Sequence, residues 1–246
     1  IEATEYRRKK QIKYNEDHVA KQLDQVKAGV VDIAHGLTGI PRGRLPRTSI
    51  VDLPLMFNSA SSASNSLWDL YESGMLGDEY KGLKVLALHA HNPGLIHTKG
   101  KAVNTPEDLK GLRIRFPSLA ISIMLKQLGA NPVGLPPTQV YENLQKGVID
   151  GTVFPWDAIG GMKLYEVLDN HADVGLYTTS FYFVMNEKKY NSLSASAKSC
   201  IDKASGRSLV AKLGNWWNEW DKPGQANSVA KGNKIVSFNA DARKKW

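Results

Sequence analysis

From Gly111 onward, short apolar runs and helical patterns alternate with almost no spacer, and no other feature constrains the fold of this chain as tightly. GLRIRF, NPVGLP and VIDGTVF read as strands, while SLAISIMLKQL, TQVYENLQK and DAIGGMKLYEVLD read as helices, the first two closed by Gly129 and Gly147. Strands joined through helices by connections of a few residues form parallel βαβ units with right-handed crossovers. The class this predicts is α/β. Upstream, Asp17 is placed to cap a helix over HVAKQLDQVKA, in which Val19, Leu23 and Val26 share a face and which Gly29 stops. VVDIAHGL follows as a buried strand running into a glycine loop, and DLPLMF is a short apolar segment. SASSASNSLWDLYESGM reads as a serine-capped helix with Leu67, Leu70, Tyr71 and Met75 inward, and LKVLALHAH as a strand. SFYFVMN is a further strand, and Ser194 to about Trp220 is helical.

A chain of 246 residues can bury a sizeable core as one large domain or as two smaller lobes. No apolar run reaches the roughly 18 residues that a spanning helix needs. The chain opens on the charged stretch IEATEYRRKK, which reads as the end of a helix rather than a secretion signal, so its natural start is expected to lie further upstream. One cysteine, Cys200, rules out an internal disulfide, and its place in a predicted helix reads as packing. The net charge of +8 raises nucleic acid as a partner, but the basic residues are spread out apart from Arg7, Arg8, Lys9 and Lys10. That cluster reads as a solvated face or free end, and no nucleic-acid motif accompanies it. His89 and His91 share one face of a strand without a third ligand nearby in sequence, so no metal site is predicted. There is no G-x-S-x-G, H-E-x-x-H or G-x-x-x-x-G-K-[ST] pattern, so neither an enzyme nor a cofactor is predicted, a soluble α/β enzyme acting on a carboxylate substrate being the alternative. Trp216, Trp217 and Trp220 lie at helical spacing and read as core or lobe-contact residues.

The stretch GLRIRFPS carries the chemistry. Leu112, Ile114 and Phe116 alternate with Arg113 and Arg115, and Pro117, which cannot donate to a ladder, ends the strand. Arg115 therefore stands at the carboxyl end of the strand, the edge of an α/β sheet outside which ligands bind. Arg113 is about 6–7 Å further back and reaches toward solvent. Ser118 can cap the following helix, whose first amide hydrogens lack backbone partners. A guanidinium fork facing a helix amino terminus suits a planar carboxylate. The alternative is an arginine paired with an internal Asp or Glu.

EDLKGLRIRFP, followed by GANPVGLPPTQVYENLQKGVIDG, resembles the central motifs of the substrate-binding proteins of TRAP transporters. VKAGVVDIAHG with VDLPLMF resembles their upstream pattern, and FVMNEKKYNSLS their return segment. The resemblance implies a two-lobed α/β periplasmic binding protein (type II-like), with a ligand cleft between the lobes and a helical carboxyl-terminal region. It places the first lobe at 1–91, the second at 92–180, and the return to the first lobe at 181–246. The family's first strand and secretion signal, and the end of its helical region, would lie outside this sequence. The function implied is that of a monomeric, periplasmic, non-enzymatic receptor that closes on an organic carboxylate and is read by a membrane permease, with no nucleic-acid partner.

By the same resemblance Arg115 clamps the ligand carboxylate, and Ser118 stands where sialic-acid receptors carry an asparagine. Leu37, Thr38, Pro117 and Phe181 fall around the cleft. His35 and His97 fall in cleft-side loops, where each either meets the ligand or ties down its loop. The departures concern polar contacts. Phe154 replaces a polar amide with Trp156 two residues on, Leu37 replaces a site that is acidic in some relatives, and Leu95 replaces a second arginine. Hydroxyls left unpaired against such a wall would cost roughly 1–3 kcal/mol each. The ligand expected is therefore benzoate-like, or another small apolar monocarboxylate, rather than a dicarboxylate or sugar acid; Phe154 packing into the lobe core is the alternative.

Overall fold

A computed structural model describes residues 16–40 and 43–246, so the Arg7–Lys10 cluster lies outside the described residues. The first elements are α1 (Glu16–Lys27), β1 (Ile33–Leu37), α2 (Ala60–Glu72), β2 (Leu83–Ala90) and β3 (Gly94–Thr98). The middle of the chain forms β4 (Arg113–Phe116), α3 (Leu119–Gln127), β5 (Asn131–Gly134), α4 (Val140–Gln145), β6 (Gly151–Phe154) and α5 (Trp156–Gly161). Then come β7 (Asn170–Tyr177), β8 (Ser180–Asn186), α6 (Glu187–Asn191) and α7 (Ala195–Lys203), and last α8 (Arg207–Ala230), β9 (Lys234–Ser237) and α9 (Ala240–Arg243).

Two sheets organise two α/β lobes. The first has the order β1-β8-β2, with both outer strands antiparallel to β8. The second has the order β5-β4-β6-β3-β7-β9. In it β5, β4 and β6 run parallel, as the helix-linked alternation predicts, while β3 is antiparallel to both β6 and β7. The sheet is thus mixed. β3, β7 and β9 are absent from the sequence reading; β3 and β9 are only five and four residues long, too short for alternation to mark them. The carboxyl-terminal region is divided between the sheets: β8 lies in the first, and β9 pairs with β7 in the second.

Each lobe has its own apolar core. Leu23, Val26, Leu67, Leu88 and Val184 pack together in the first. In the second, Ile114, Ile121, Leu125 and Val153 form one cluster, and Val140, Leu144, Ile149 and Ile159 another. The chain passes between sheets over residues 91–93 and 178–179, where the His91 amide donates to the Thr179 carbonyl at 3.3 Å. α8, with 24 residues and hence roughly 36 Å of length, packs on α2 and on α5. Both contacts are glycine-close. A Cβ on Gly214 would lie 2.8 Å from the Ser61 Cα, and one on Gly224 would lie 1.9 Å from the Trp156 carbonyl oxygen.

Several local expectations change. α1 begins at Glu16, so Asp17 lies inside the helix rather than before it. β1 buries one face only, leaving Ile33 exposed along with Val30 and Val31 before it, because alternate side chains point to opposite faces and only one of them is covered. Ser59 caps α2 as read, but the helix ends at Glu72 and Met75 is 64% exposed, while Trp68 and Leu76 turn inward instead. DAIGGMKLYEVLD is broken after Gly161 by Lys163 at φ +52°, a conformation no α-helix can contain. Cys200 is exposed on α7 rather than packed.

Candidate functional site

Arg115 occupies the third position of β4 and is 1% exposed. Its Nε donates to the Leu135 carbonyl at 3.0 Å, its guanidinium carbon lies 4.3 Å from the centre of the Phe154 ring, and Nη1 has no partner. Among the described residues no carboxylate pairs with it, whereas Arg113, two residues back on the exposed side, is bound bidentately by Asp150 at 2.6 and 2.9 Å. The two arginines of GLRIRF thus have opposite fates. Burial pulls the Arg115 pKa down to about 10, which leaves it a cation at neutral pH. An uncompensated buried charge costs several kcal/mol, and an arriving anion recovers that cost.

Beside the guanidinium is a cavity of about 170 Å³. Arg115, Pro117, Phe154 and Pro155 form one side, and Leu37, Phe181 and Trp217 come from the first sheet and α8. Tyr177, Thr179 and His91 contribute from the crossing segments, and Asp157 from the start of α5. An engineered apolar cavity of about 150 Å³ in another protein takes up benzene, so one six-membered ring is the scale of object that fits. Arg115 is the only cation among the residues lining it. The imidazole of His91 donates from Nδ1 to the Asn92 carbonyl, and burial lowers its pKa to about 4, so it is neutral at pH 7. The Asp157 carboxyl is raised to about 6, by burial first and then by Asp221. A single buried cation at one end of a ring-sized aromatic pocket can hold a small apolar acid.

Of the residues singled out in the sequence, the cavity brings together Arg115, Pro117, Phe154, Leu37 and Phe181. Ser118 sits next to them at the N-cap position of α3, but it makes no capping bond, and its buried hydroxyl lacks a partner, like Arg115 Nη1. The others are elsewhere. Trp156 does not share the orientation of Phe154, because Pro155 ends β6 and α5 starts at Trp156, which packs on His97 and His171 instead. Leu95 pairs with Phe154 across β3 and β6, yet it faces a separate hollow of about 680 Å³ that Trp156 also lines, beside Asp173 and Asp221. Thr38 lies just past β1, its hydroxyl bound to Ser180. His97 and His35 are on strands β3 and β1, not in loops. His97 is fully buried behind Phe154, with Nε2 3.0 Å from the Phe154 carbonyl. His35 stacks behind Phe181 with its Nε2 2.9 Å from that of His89.

Tyr177, Thr179, His91, Asp157 and Trp217 were missed as cavity residues. Trp217 carried a signal, the helical spacing of three tryptophans, but periodicity cannot say which face of α8 meets a cavity. Its Nε1 donates to His89 Nδ1 at 3.1 Å, while Trp216 and Trp220 remain partly exposed. With Nδ1 accepting, His89 carries its proton on Nε2; burial, then His35 and His91, lower its pKa to about 3. Among the described residues no group of three His, Cys, Asp or Glu side chains is placed to hold a metal ion, and no helix is long and apolar enough to cross a membrane.

Comparison with known proteins bears on the same architecture. The model of the DctP family, bacterial extracellular solute-binding protein family 7, matches residues 13–246. A TRAP solute-binding protein of Rhodoferax ferrireducens T118, solved with copurified benzoate, is 36% identical. It superposes with a TM-score of 0.88, covering 92% of this chain and 71% of its own. A marine metagenome TRAP solute-binding protein specific for aromatic acid ligands, from an unidentified microbe, was solved with 3-hydroxybenzoate. It is 38% identical with a TM-score of 0.88, over 92% of this chain and 72% of its own. The 2,3-diketo-L-gulonate-binding periplasmic protein of Escherichia coli K12 is 31% identical over 184 residues, which is 70% of this chain and 53% of that protein. This chain spans 66%, 53% and 56% of the length of three curated relatives that it matches. Family match, two-lobed α/β architecture and inter-sheet pocket agree: the chain belongs to bacterial extracellular solute-binding protein family 7, the substrate-binding proteins of TRAP transporters.

Proposed function

We propose that this chain is the ligand-binding part of a TRAP receptor that takes a small aromatic monocarboxylate of the benzoate kind and delivers it to a membrane permease. The observation that carries the reading is Arg115: a buried guanidinium with a free Nη1, lying on the Phe154 ring at the head of a ring-sized cavity. Its Nη1 and the Ser118 hydroxyl, both unpartnered, are the donors offered to the carboxylate. Phe154, Phe181, Tyr177 and Trp217 supply the wall for the ring, where stacked or edge-to-face contacts add about 0.5–1.5 kcal/mol beyond area burial. A second carboxylate or a row of hydroxyls would be desolvated against that wall without compensation. The aromatic acids held by the Rhodoferax and marine relatives support the same class.

The receptor binds and releases its ligand unchanged, acts as a monomer and works in the periplasm, where family members reside. The first lobe runs through residue 90 and resumes at 180, the second covers 94–177 together with β9, and closure bends the segments at 91–93 and 178–179. The deciding experiment is calorimetric titration with benzoate, succinate and sialic acid, with scattering on the same samples. Benzoate should bind tightest, be recovered unaltered, and reduce the radius of gyration. Tight binding of succinate or sialic acid with benzoate silent would overturn the ligand class. Turnover of benzoate would overturn the receptor role, and an unchanged scattering curve at saturation would overturn closure.

A further inference from the structure

The Phe154 carbonyl stands where β6 stops, next to Pro155, and accepts a hydrogen bond from His97 Nε2 at 3.0 Å. Because Nε2 donates, Nδ1 of His97 must accept, and His171 Nδ1 lies 2.7 Å from it. His171 in turn has Nε2 left as an acceptor, 3.1 Å from the Asn233 side-chain amide, whose hydrogens are shared with the Leu168 and Tyr165 carbonyls at 2.8 and 3.2 Å. Every proton in the series Asn233, His171, His97, Phe154 carbonyl therefore has one direction. His97 and His171 are both buried, and the Trp156 ring closes over them at 5.4 and 4.9 Å. The turn that carries the cavity wall is thus gripped from behind by an imidazole pair anchored in β3 and β7.

We infer that His97, supported by His171, is a positioning residue that sets the tilt of the Phe154 ring beneath Arg115 and thereby the preference for flat aromatic acids over saturated ring acids. The inference rests on the reading of the cavity as an aromatic-acid site. His97 itself touches no ligand; it lies on the far side of the Phe154 backbone. Without its donor the buried Phe154 carbonyl has to find another, and rotation of that peptide carries the ring with it. A flat ligand stacked on Phe154 is sensitive to such a tilt, whereas a puckered ring held by shapeless apolar contact is much less so.

The test compares benzoate with cyclohexanecarboxylate, two monocarboxylates of similar size, by calorimetry on the whole chain. A glutamine amide can stand in for Nε2 but not for Nδ1, and an asparagine amide the reverse. His97→Asn should therefore lower the benzoate-to-cyclohexanecarboxylate affinity ratio by about three- to tenfold, and His97→Gln by less. In a Phe154→Leu background, His97→Asn should lower the ratio no further. If circular dichroism shows His97→Asn unfolded, His171→Phe, which removes the donor to His97 while keeping a ring, carries the same comparison. Equal losses for both acids, the same ratio in the Asn and Gln variants, or full additivity with Phe154→Leu would each overturn the proposal. A wild-type chain that binds neither acid would overturn the ligand reading beneath it, and the proposal with it.

Discussion

Arg115 and Phe154 occupy one point in space but carry opposite energetic burdens. The guanidinium is buried with one hydrogen bond from Nε and no counter-charge, so in the empty protein it is a liability held in place by the lobe around it. Even a buried ion pair can be replaced by apolar side chains of similar volume with a change that is neutral or stabilising by about 1–4 kcal/mol, and an unpaired charge lacks the Coulombic gain of such a pair. Arg115→Met is therefore expected to raise the unfolding free energy of the ligand-free protein while weakening benzoate at least about a hundredfold, since a charge-assisted bidentate contact is lost. Urea denaturation together with calorimetry checks both halves. A variant that binds normally, or one that is both weaker in binding and markedly less stable, would count against the role. The position of this arginine was legible because it depends on a local pattern: alternation within β4, a proline stop, and a helix start at Ser118. That it has no internal acid was not legible, because the absence of a carboxylate is a property of everything that packs around it.

At the scale of elements, α8 ties the two lobes together through two close approaches. A Cβ at position 224 would sit 1.9 Å from a backbone carbonyl oxygen, a distance that neither a rotamer change nor a small side-chain shift can relieve. Gly224 follows Pro223, which itself removes one intrahelical hydrogen bond, so the helix is already weakened where it meets α5. Gly224→Ala should lower stability by roughly 2 kcal/mol or more through overpacking, despite the better helix propensity of alanine. Gly43→Ala, with φ +75° and open space around it, should cost only about 1 kcal/mol from backbone strain. Equal melting temperatures for the two variants would refute this ordering. The sequence reads as helix only to about Trp220, whereas α8 runs on to Ala230, and its glycine-close contact with α5 falls in the part not read, because KPGQ reads locally as a helix breaker.

Across the whole molecule, buried titratable groups set how stability responds to acid. His89, His91 and His171 have pKa values lowered to about 3, 4 and 4 from 6.5, chiefly by burial, and are nearly or fully excluded from solvent. A depressed imidazole contributes stability that is present above 6.5, falls away progressively below it as the unfolded state protonates, and is fully lost once the pH has passed the folded value. Asp52 and Asp157, raised to about 7 and about 6 by burial, act in the other direction, their contribution being fully present below about 4 and lost as pH rises. Between pH 7 and 5 these imidazoles, together with His97, whose pKa burial lowers well below 6.5, outweigh the carboxyls, and a net loss of stability is expected. Urea melts at the two pH values measure it; stability that is unchanged or greater at pH 5 would contradict the balance. The sequence by itself determined the α/β class, the helix-linked parallel strands β4 to β6 and the arginine at a strand end, because each follows from spacing within about twenty residues. Only the tertiary structure decided that Trp217 meets Phe154 and Arg115 around one cavity, that Trp156 and Leu95 turn elsewhere, and that His97 grips the wall from behind. Those relations join strands, crossings and a helix far apart in the chain, and packing between lobes, not local periodicity, selects which face of each element turns inward.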